Sequence, residues 1–377
     1  MHEGPKIIFL VCAGRTGSSF LHTLLDSHPE VLMLPMELSF YRMWDRLGCD
    51  QVKDAEEMVR RWTEQSKLAK LADNVNYGID GSTNAYTSCD FPIFRDRFLC
   101  LLRETSLSRR DVFYAIHRAY ADATGGDLSR YQVIIEFSAI YIDIGRAVED
   151  FREPRFIQVV RDHRATYASI KQHFLNTRRG LFNLRGKTLE QKLSLIRIFN
   201  NFIRTINKLR AGFAALPADH VLYVKQEDLH LNLEPTMREV AGWLQIAYEP
   251  CLLHSTLAGH PWQGNSAFGK AVAGATPEVT RRWMTTLSPQ EIRVIEYVFG
   301  DDMERFGYAY SAARRPSRWQ VTCGGLIPFR GELAILGRSA RHIALDIMKW
   351  PLRLGAYLMS RFYLLRIIAD GKRFVNG

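Results

Sequence analysis

The chain has 377 residues, is 47% hydrophobic and 24% charged, and carries a formal net charge of +10. That is enough apolar material for a large core in one or two domains, and there are no internal repeats or low-complexity tracts. Six cysteines (12, 49, 89, 100, 251 and 323) contain no C-x-x-C pair and no zinc-type spacing, which argues against a metal site and for a reducing compartment.

In chain order, the first element is an apolar run from Ile7 to Cys12, followed by Gly14-Arg15-Thr16-Gly17-Ser18-Ser19 and then Phe20, Leu21, Leu24 and Leu25 at helical spacing. This reads as a buried strand, a tight turn and a helix. The strand begins too early to leave room for a signal peptide or an anchor ahead of it. The two glycines let backbone N–H groups approach an anion, and the helix dipole favours negative charge at the same spot. Arg15 adds a fixed charge, and Thr16, Ser18 and Ser19 add hydroxyl donors. The turn therefore suits a phosphate or sulfate ester, the alternative being a glycine turn that binds nothing. A Walker-type ATP site needs G-x-x-x-x-G-K-[ST]; here the glycines are three apart and no lysine follows.

His28-Pro29 and the apolar segment from Val31 lead to Glu37. Residues 51–72 read as a polar amphipathic helix and 77–80 as a weak strand. The small polar residues from Asp80 to Tyr86 could line a pocket. Residues 109–123 read as a helix behind a Ser108/Asp111 cap, and 131–137 as a strand. Phe156 to Val160 lies in the next strand, 155–160. Arg161 stands at its end and Ser169 eight residues on, inside the helix that follows. A guanidinium and a hydroxyl so placed can meet one anion. Residues 189–213 read as a helix behind Thr188 and Gln191 at capping-box spacing, and 221–225 as a strand. Strands alternating with helices predict a parallel α/β sheet, with ligands beyond the strand C-termini.

Taken together, the glycine turn and the Arg161/Ser169 pair resemble the sulfotransferase family that uses 3′-phosphoadenosine-5′-phosphosulfate (PAPS), in particular its carbohydrate and bacterial branches. The resemblance implies an α/β, P-loop-like three-layer sandwich with a central parallel sheet. It implies that Gly14, Arg15, Thr16, Gly17, Ser18 and Ser19 hold the 5′-phosphosulfate and that Arg161 and Ser169 hold the 3′-phosphate. No metal is implied. Ile134-Ile135-Glu136-Phe137-Ser138 resembles the family's E-K-[ST]-P element, and Val221-Leu222-Tyr223 with Glu227-Asp228-Leu229 its Y-E-D-L strand. Gly264-Asn265, Trp283, Leu287-Ser288 and Phe306-Gly307-Tyr308 resemble its C-terminal layout. Gln226 departs from the tyrosine of Y-E-D-L, Phe137 and Ala139 from the lysine and proline of E-K-[ST]-P, and Phe268 from an arginine after G-N-P. Lys270 is a candidate to supply that missing charge.

The reaction this implies is in-line attack of a hydroxyl on the donor sulfur, with Glu37 as general base and Arg15 stabilising charge on the bridging oxygen. Glu136 and His117 are weaker candidates for the base, and His163 is given no role. The expected acceptor is a hydroxyl of a saccharide, glycolipid or other membrane-associated molecule. Arg178, Arg179, Arg185, Lys187 and Lys192 could form a basic rim for it. The alternatives are a phosphotransferase on a related fold and an inactive membrane-binding scaffold.

Residues 313–377 hold twelve Lys/Arg against three Asp/Glu, so residues 1–312 are nearly neutral. The division expected is a sulfotransferase domain over 1–312 and a basic, mainly helical extension over 313–377. Arginines interrupt the apolar pattern of the extension, so it does not read as a membrane span. It reads as one or two amphipathic helices, parted at Pro351, on an anionic membrane surface. The other readings are a hairpin packed on the body or on the partner subunit of a homodimer. No base-reading motif accompanies the charge, so nucleic acid is not an expected partner. The expected location is cytoplasmic, peripheral on the inner face of a membrane.

Overall fold

The computed structural model describes residues 4–72, 76–77, 83–85, 89–139, 142–176, 198–264, 266, 268, 274–326 and 350–370. The chain divides into two compact units. The first comprises Met1–Val160, Gly212–Ser266 and Ala271–Pro277, and the second Arg161–Ala211, Ala267–Lys270 and Glu278–Gly377.

The first unit is built on a five-stranded sheet: β1 (Lys6–Cys12), β2 (Val31–Met33), β3 (Val133–Ala139), β4 (Arg155–Val160) and β5 (Val221–Lys225). Its order is β2-β3-β1-β4-β5 and every pairing is parallel. The helices of this unit are α1 (Ser18–Leu25), α2 (Phe40–Arg46), α3 (Ala55–Gln65), α4 (Phe91–Glu104), α5 (Arg109–Ala123) and α6 (Ile144–Asp150).

β1 is apolar from Ile7 to Cys12 because both of its faces are covered there. Ile8, Leu10 and Cys12 pack with Phe20, Leu21, Leu24 and Leu25 of α1 and with Met237, Val240 and Leu244. Phe9 points the other way, with its ring 5.6–6.2 Å from those of Tyr41, Phe113, Phe151 and Phe156. Helix, sheet and helix therefore form three layers, as the sequence predicts.

Several elements differ from expectation. β2 is too short to show a period, yet it pairs with β3 from Val31↔Val133 to Met33↔Ile135. β3 starts two residues later than predicted, because a 3-10 turn at Leu128–Arg130, capped by Asp127, comes first. It also runs on through Ser138, where the pairing with β1 slips. The predicted 51–72 helix breaks at Ser66, whose backbone is extended and whose hydroxyl accepts the Leu68 N–H at 3.0 Å. Of the weak strand expected at 77–80, residues 78–80 lie outside the described residues; Asn76–Tyr77 pairs antiparallel with Thr83–Ala85. α5 has the predicted bounds, capped by Ser108.

The second unit contains α7 (His163–Asn176) and most of α8 (Ile198–Ala214). Of the helix predicted at 189–213, residues 189–197 and the Thr188/Gln191 cap lie outside the described residues. Two further helices, α9 (Gln226–Leu231) and α10 (Leu233–Leu244), return the chain to the first unit. The second unit then continues with α11 (Trp283–Thr286), α12 (Pro289–Val298), α13 (Gly300–Arg305), α14 (Arg318–Leu326) and α15 (Trp350–Asp370). Its core pairs aromatic rings (Tyr167, Phe199, Phe202, Phe299) with buried ion pairs. Arg164 bonds Asp162 and Glu296 and lies 4.2 Å over the Trp283 ring.

α14 packs on α12 and α15, and Asn200 Nδ2 donates to Ser360 Oγ at 3.0 Å. α12, α14 and α15 thus belong to one compact unit. Pro351 is the second described residue of α15, and residues 327–349 ahead of it lie outside the described residues.

Candidate active site

The turn after β1 is built from left-handed backbone. Gly14, Arg15 and Gly17 have φ of 82°, 58° and 94°. Arg15 holds a conformation that disfavours a side chain, and successive left-handed residues gather N–H groups into an anion-binding concavity. Gly17 is the N-cap of α1, with no capping side chain and no acidic residue in the first turn. The first N–H groups of such a helix have no intrahelical acceptor.

Gly14 N–H and the Ser18 hydroxyl both point back to Cys12 Sγ, at 3.3 and 3.1 Å. Ser18 therefore anchors the turn in this state, although the resemblance makes it a ligand to the donor. Burial pushes the Cys12 thiol up, and the negative field of Glu37 adds to this. The Thr16 hydroxyl is buried within reach of Cys12 but lacks a well-formed hydrogen bond among the described residues. Burial pushes the Arg15 guanidinium down from its ordinary value. The turn fits an oxyanion: a cationic group, the first N–H groups of a helix and an unspent hydroxyl in one place.

Glu37 sits in a second cluster of the same unit. His22 on α1 bonds the Leu34 carbonyl at 3.0 Å and so ties the Glu37 segment to the helix of the turn. The Ser39 hydroxyl donates to Glu37 Oε1 at 2.8 Å, and Lys67 Nζ stands 3.6 Å from the same oxygen. The Glu37 side chain is 29% exposed. Ser39 has φ 55°, a strained turn that starts α2, with its N–H bonded to the Phe137 carbonyl. Behind it Glu136 is buried; it accepts the Phe40 N–H at 2.9 Å and the Ser138 hydroxyl. Burial raises its carboxyl to about 7. His117 is a core side chain, with Nδ1 on the Phe113 carbonyl at 2.8 Å, and burial lowers it to about 4.

Arg161 and Ser169 belong to the second unit and both are buried there. Arg161 follows the last residue of β4, and one guanidinium nitrogen donates to the Val279 carbonyl at 3.2 Å. His163 bonds Asp302 at 3.1 Å and packs on Phe299 with ring centroids 4.3 Å apart, a structural place. Lys270 and the basic rim residues (178, 179, 185, 187, 192) lie outside the described residues, as does part of 80–86. At Phe268, where the family pattern has an arginine, the Arg282 guanidinium stands 5.5 Å over the ring.

A family model described as the sulfotransferase family matches residues 5–250. The chain belongs to the sulfotransferase family. No curated protein matches it. Among solved structures it is similar to the sulfotransferase domain of the curacin biosynthetic pathway, at 15% identity and TM-score 0.46, covering 81% of this chain and 98% of that one. The sulfotransferase domain of the Synechococcus PCC 7002 olefin synthase is 17% identical at TM-score 0.41, covering 76% and 90%. A mouse sulfotransferase complexed with PAP is 11% identical at TM-score 0.34, covering 79% and 85%.

In this sulfotransferase, sequence reasoning singled out the turn and Glu37 as candidates, named Ser138 only within a family element, and did not single out Ser39 or Lys67. Ser39 and Ser138 work through a positive φ and a strand slip, neither of which has a sequence signature here. Gln226 was legible only as a departure from a family pattern.

Proposed function

We propose that this sulfotransferase moves the sulfuryl group of PAPS to a hydroxyl of a saccharide, glycolipid or other membrane-associated acceptor. The observation that carries the donor assignment is the Gly14–Ser19 turn, left-handed at three positions, at the mouth of the central strand. In this reading the turn holds the 5′-phosphosulfate, and Arg161 with Ser169 holds the 3′-phosphate. The acceptor oxygen attacks sulfur, the bond from sulfur to the 5′-phosphate oxygen breaks, and 3′-phosphoadenosine 5′-phosphate (PAP) leaves. The acceptor's proton passes to Glu37. Ser39 and Lys67 keep that carboxylate oriented, and Arg15 meets the charge growing on the leaving oxygen.

The membrane setting rests on α15. Its inner positions (Tyr357, Ser360, Arg361, Leu364, Ile367, Ile368) are buried, while Leu354, Leu358, Met359 and Phe362 on the opposite face are 36–71% exposed. An exposed apolar stripe within a strongly basic segment suits an anionic lipid surface. Among the described residues, no helix is long and apolar enough to cross a membrane.

The test is incubation of the purified protein with ³⁵S-labelled PAPS and membrane lipid or glycan extracts. Label should enter an extract component with an 80 Da gain; label that stays wholly in donor and free sulfate would refute the reading.

A further inference from the structure

Gln226, the first residue of α9, is buried against the glycine turn. A Cβ on Gly17 would lie 2.5 Å from Gln226 Cγ and 3.2 Å from its amide carbon. The amide nitrogen, as placed, stands 3.1 Å from His230 Nε2. The amide oxygen is buried and no donor among the described residues reaches it.

The imidazole decides which is which. Thr276 N–H donates to His230 Nδ1 at 3.0 Å, so Nδ1 is an acceptor. A neutral ring then carries its proton on Nε2, and a protonated ring could not accept at Nδ1 at all. Nε2–H is thus a donor, and only the amide oxygen can face it. The ring is held in that orientation by Phe20, stacked at 4.9 Å with planes 10° apart. The amide NH₂ therefore takes the buried position beside Gly17, where no donor reaches the amide oxygen. A donor buried there needs an acceptor.

We propose that the Gln226 NH₂, aimed by His230, is a donor to the oxyanion seated in the Gly14–Ser19 turn, the sulfate or phosphate end of the nucleotide. This rests on the reading of that turn as the phosphosulfate site. It makes Gln226 a binding residue for the donor and His230, acting through it, a positioning residue.

The experiment measures PAP affinity by calorimetry for the wild type, Gln226→Leu, Gln226→Glu and His230→Phe, each checked for a cooperative thermal transition. A lost hydrogen bond to a charged group should raise Kd for PAP about 10- to 100-fold in Gln226→Leu. It should raise KM for the donor with little change in kcat. Gln226→Glu, though isosteric, should be worse than Leu because it sets a carboxylate against the anion, and His230→Phe should fall between the wild type and Leu. A residue that only packs would show the reverse order, with Glu the mildest, and that order would overturn the proposal. Equal affinity in the wild type and Gln226→Leu would also overturn it while leaving the turn's assignment intact; no PAP binding by the wild type would overturn that assignment itself. Independently of any variant, ¹⁵N NMR of His230 in the wild-type protein should show the Nε2–H tautomer, and an Nδ1–H ring would refute the argument.

Discussion

The Ser39 hydroxyl donates to Glu37 Oε1 at 2.8 Å from a residue held at φ 55°. The strained residue that starts α2 thus also aims the carboxylate assigned as base. Glu37→Gln keeps the shape and removes the basic oxygen. It should lower kcat about 100- to 10,000-fold while leaving the affinity for PAP unchanged. Ser39→Gly relieves the strain but loses the aim, and should give a smaller fall in kcat. Labelled sulfate transfer and calorimetry check both, and full turnover in Glu37→Gln removes it as the base.

Glu136 makes the protein's stability depend on pH. Burial raises its carboxyl from the ordinary 4.5 to about 7, so the folded state binds its proton more tightly than the unfolded chain. That contribution is fully present below about pH 4.5 and is lost as pH rises toward 7. It is worth about 3 kcal/mol at most. Glu136→Gln should flatten the fall in melting temperature across this range and raise it at pH 8. Parallel pH curves for the two proteins would show that Glu136 titrates normally.

Lys171 Nζ lies 2.8 and 3.0 Å from the carboxylate oxygens of Glu291, and both side chains are buried. Lys171→Met strands a buried charge and should destabilise the protein by about 3–5 kcal/mol. Glu291→Gln added to it should restore much of this, because Gln still suits the capping box with Ser288. Urea unfolding of the single and double variants measures the coupling.

The sheet was legible because four of its strands are mostly apolar, a pattern that needs cover on both faces. β2 was not, since three residues carry no period and its pairing depends on β3, a hundred residues later. The left-handed turn after β1 was legible in its two glycines. The surroundings of Glu37 were not, because Ser39, Lys67, Glu136 and Ser138 are brought together by backbone strain and a slip in strand pairing. The Gln226 amide is the sharpest case: its orientation follows from which His230 nitrogen accepts a proton.

Leu358 and Phe362 face outward on α15, 56% and 71% exposed. Glutamate at both positions should cut co-sedimentation with vesicles containing anionic lipid about 10-fold or more. Transfer to a soluble acceptor should survive. Undiminished binding would mean that this stripe does not meet the membrane.

The central claim is that the site takes a nucleotide phosphorylated on both sides of its ribose. The most direct test compares Kd for PAP with Kd for AMP, ADP and ATP, in the wild type and in Arg161→Ala. PAP should bind at least about 100-fold more tightly than the others, as expected for a bidentate charged contact, and Arg161→Ala should erase most of that preference. Binding of ATP as tight as or tighter than that of PAP would contradict it.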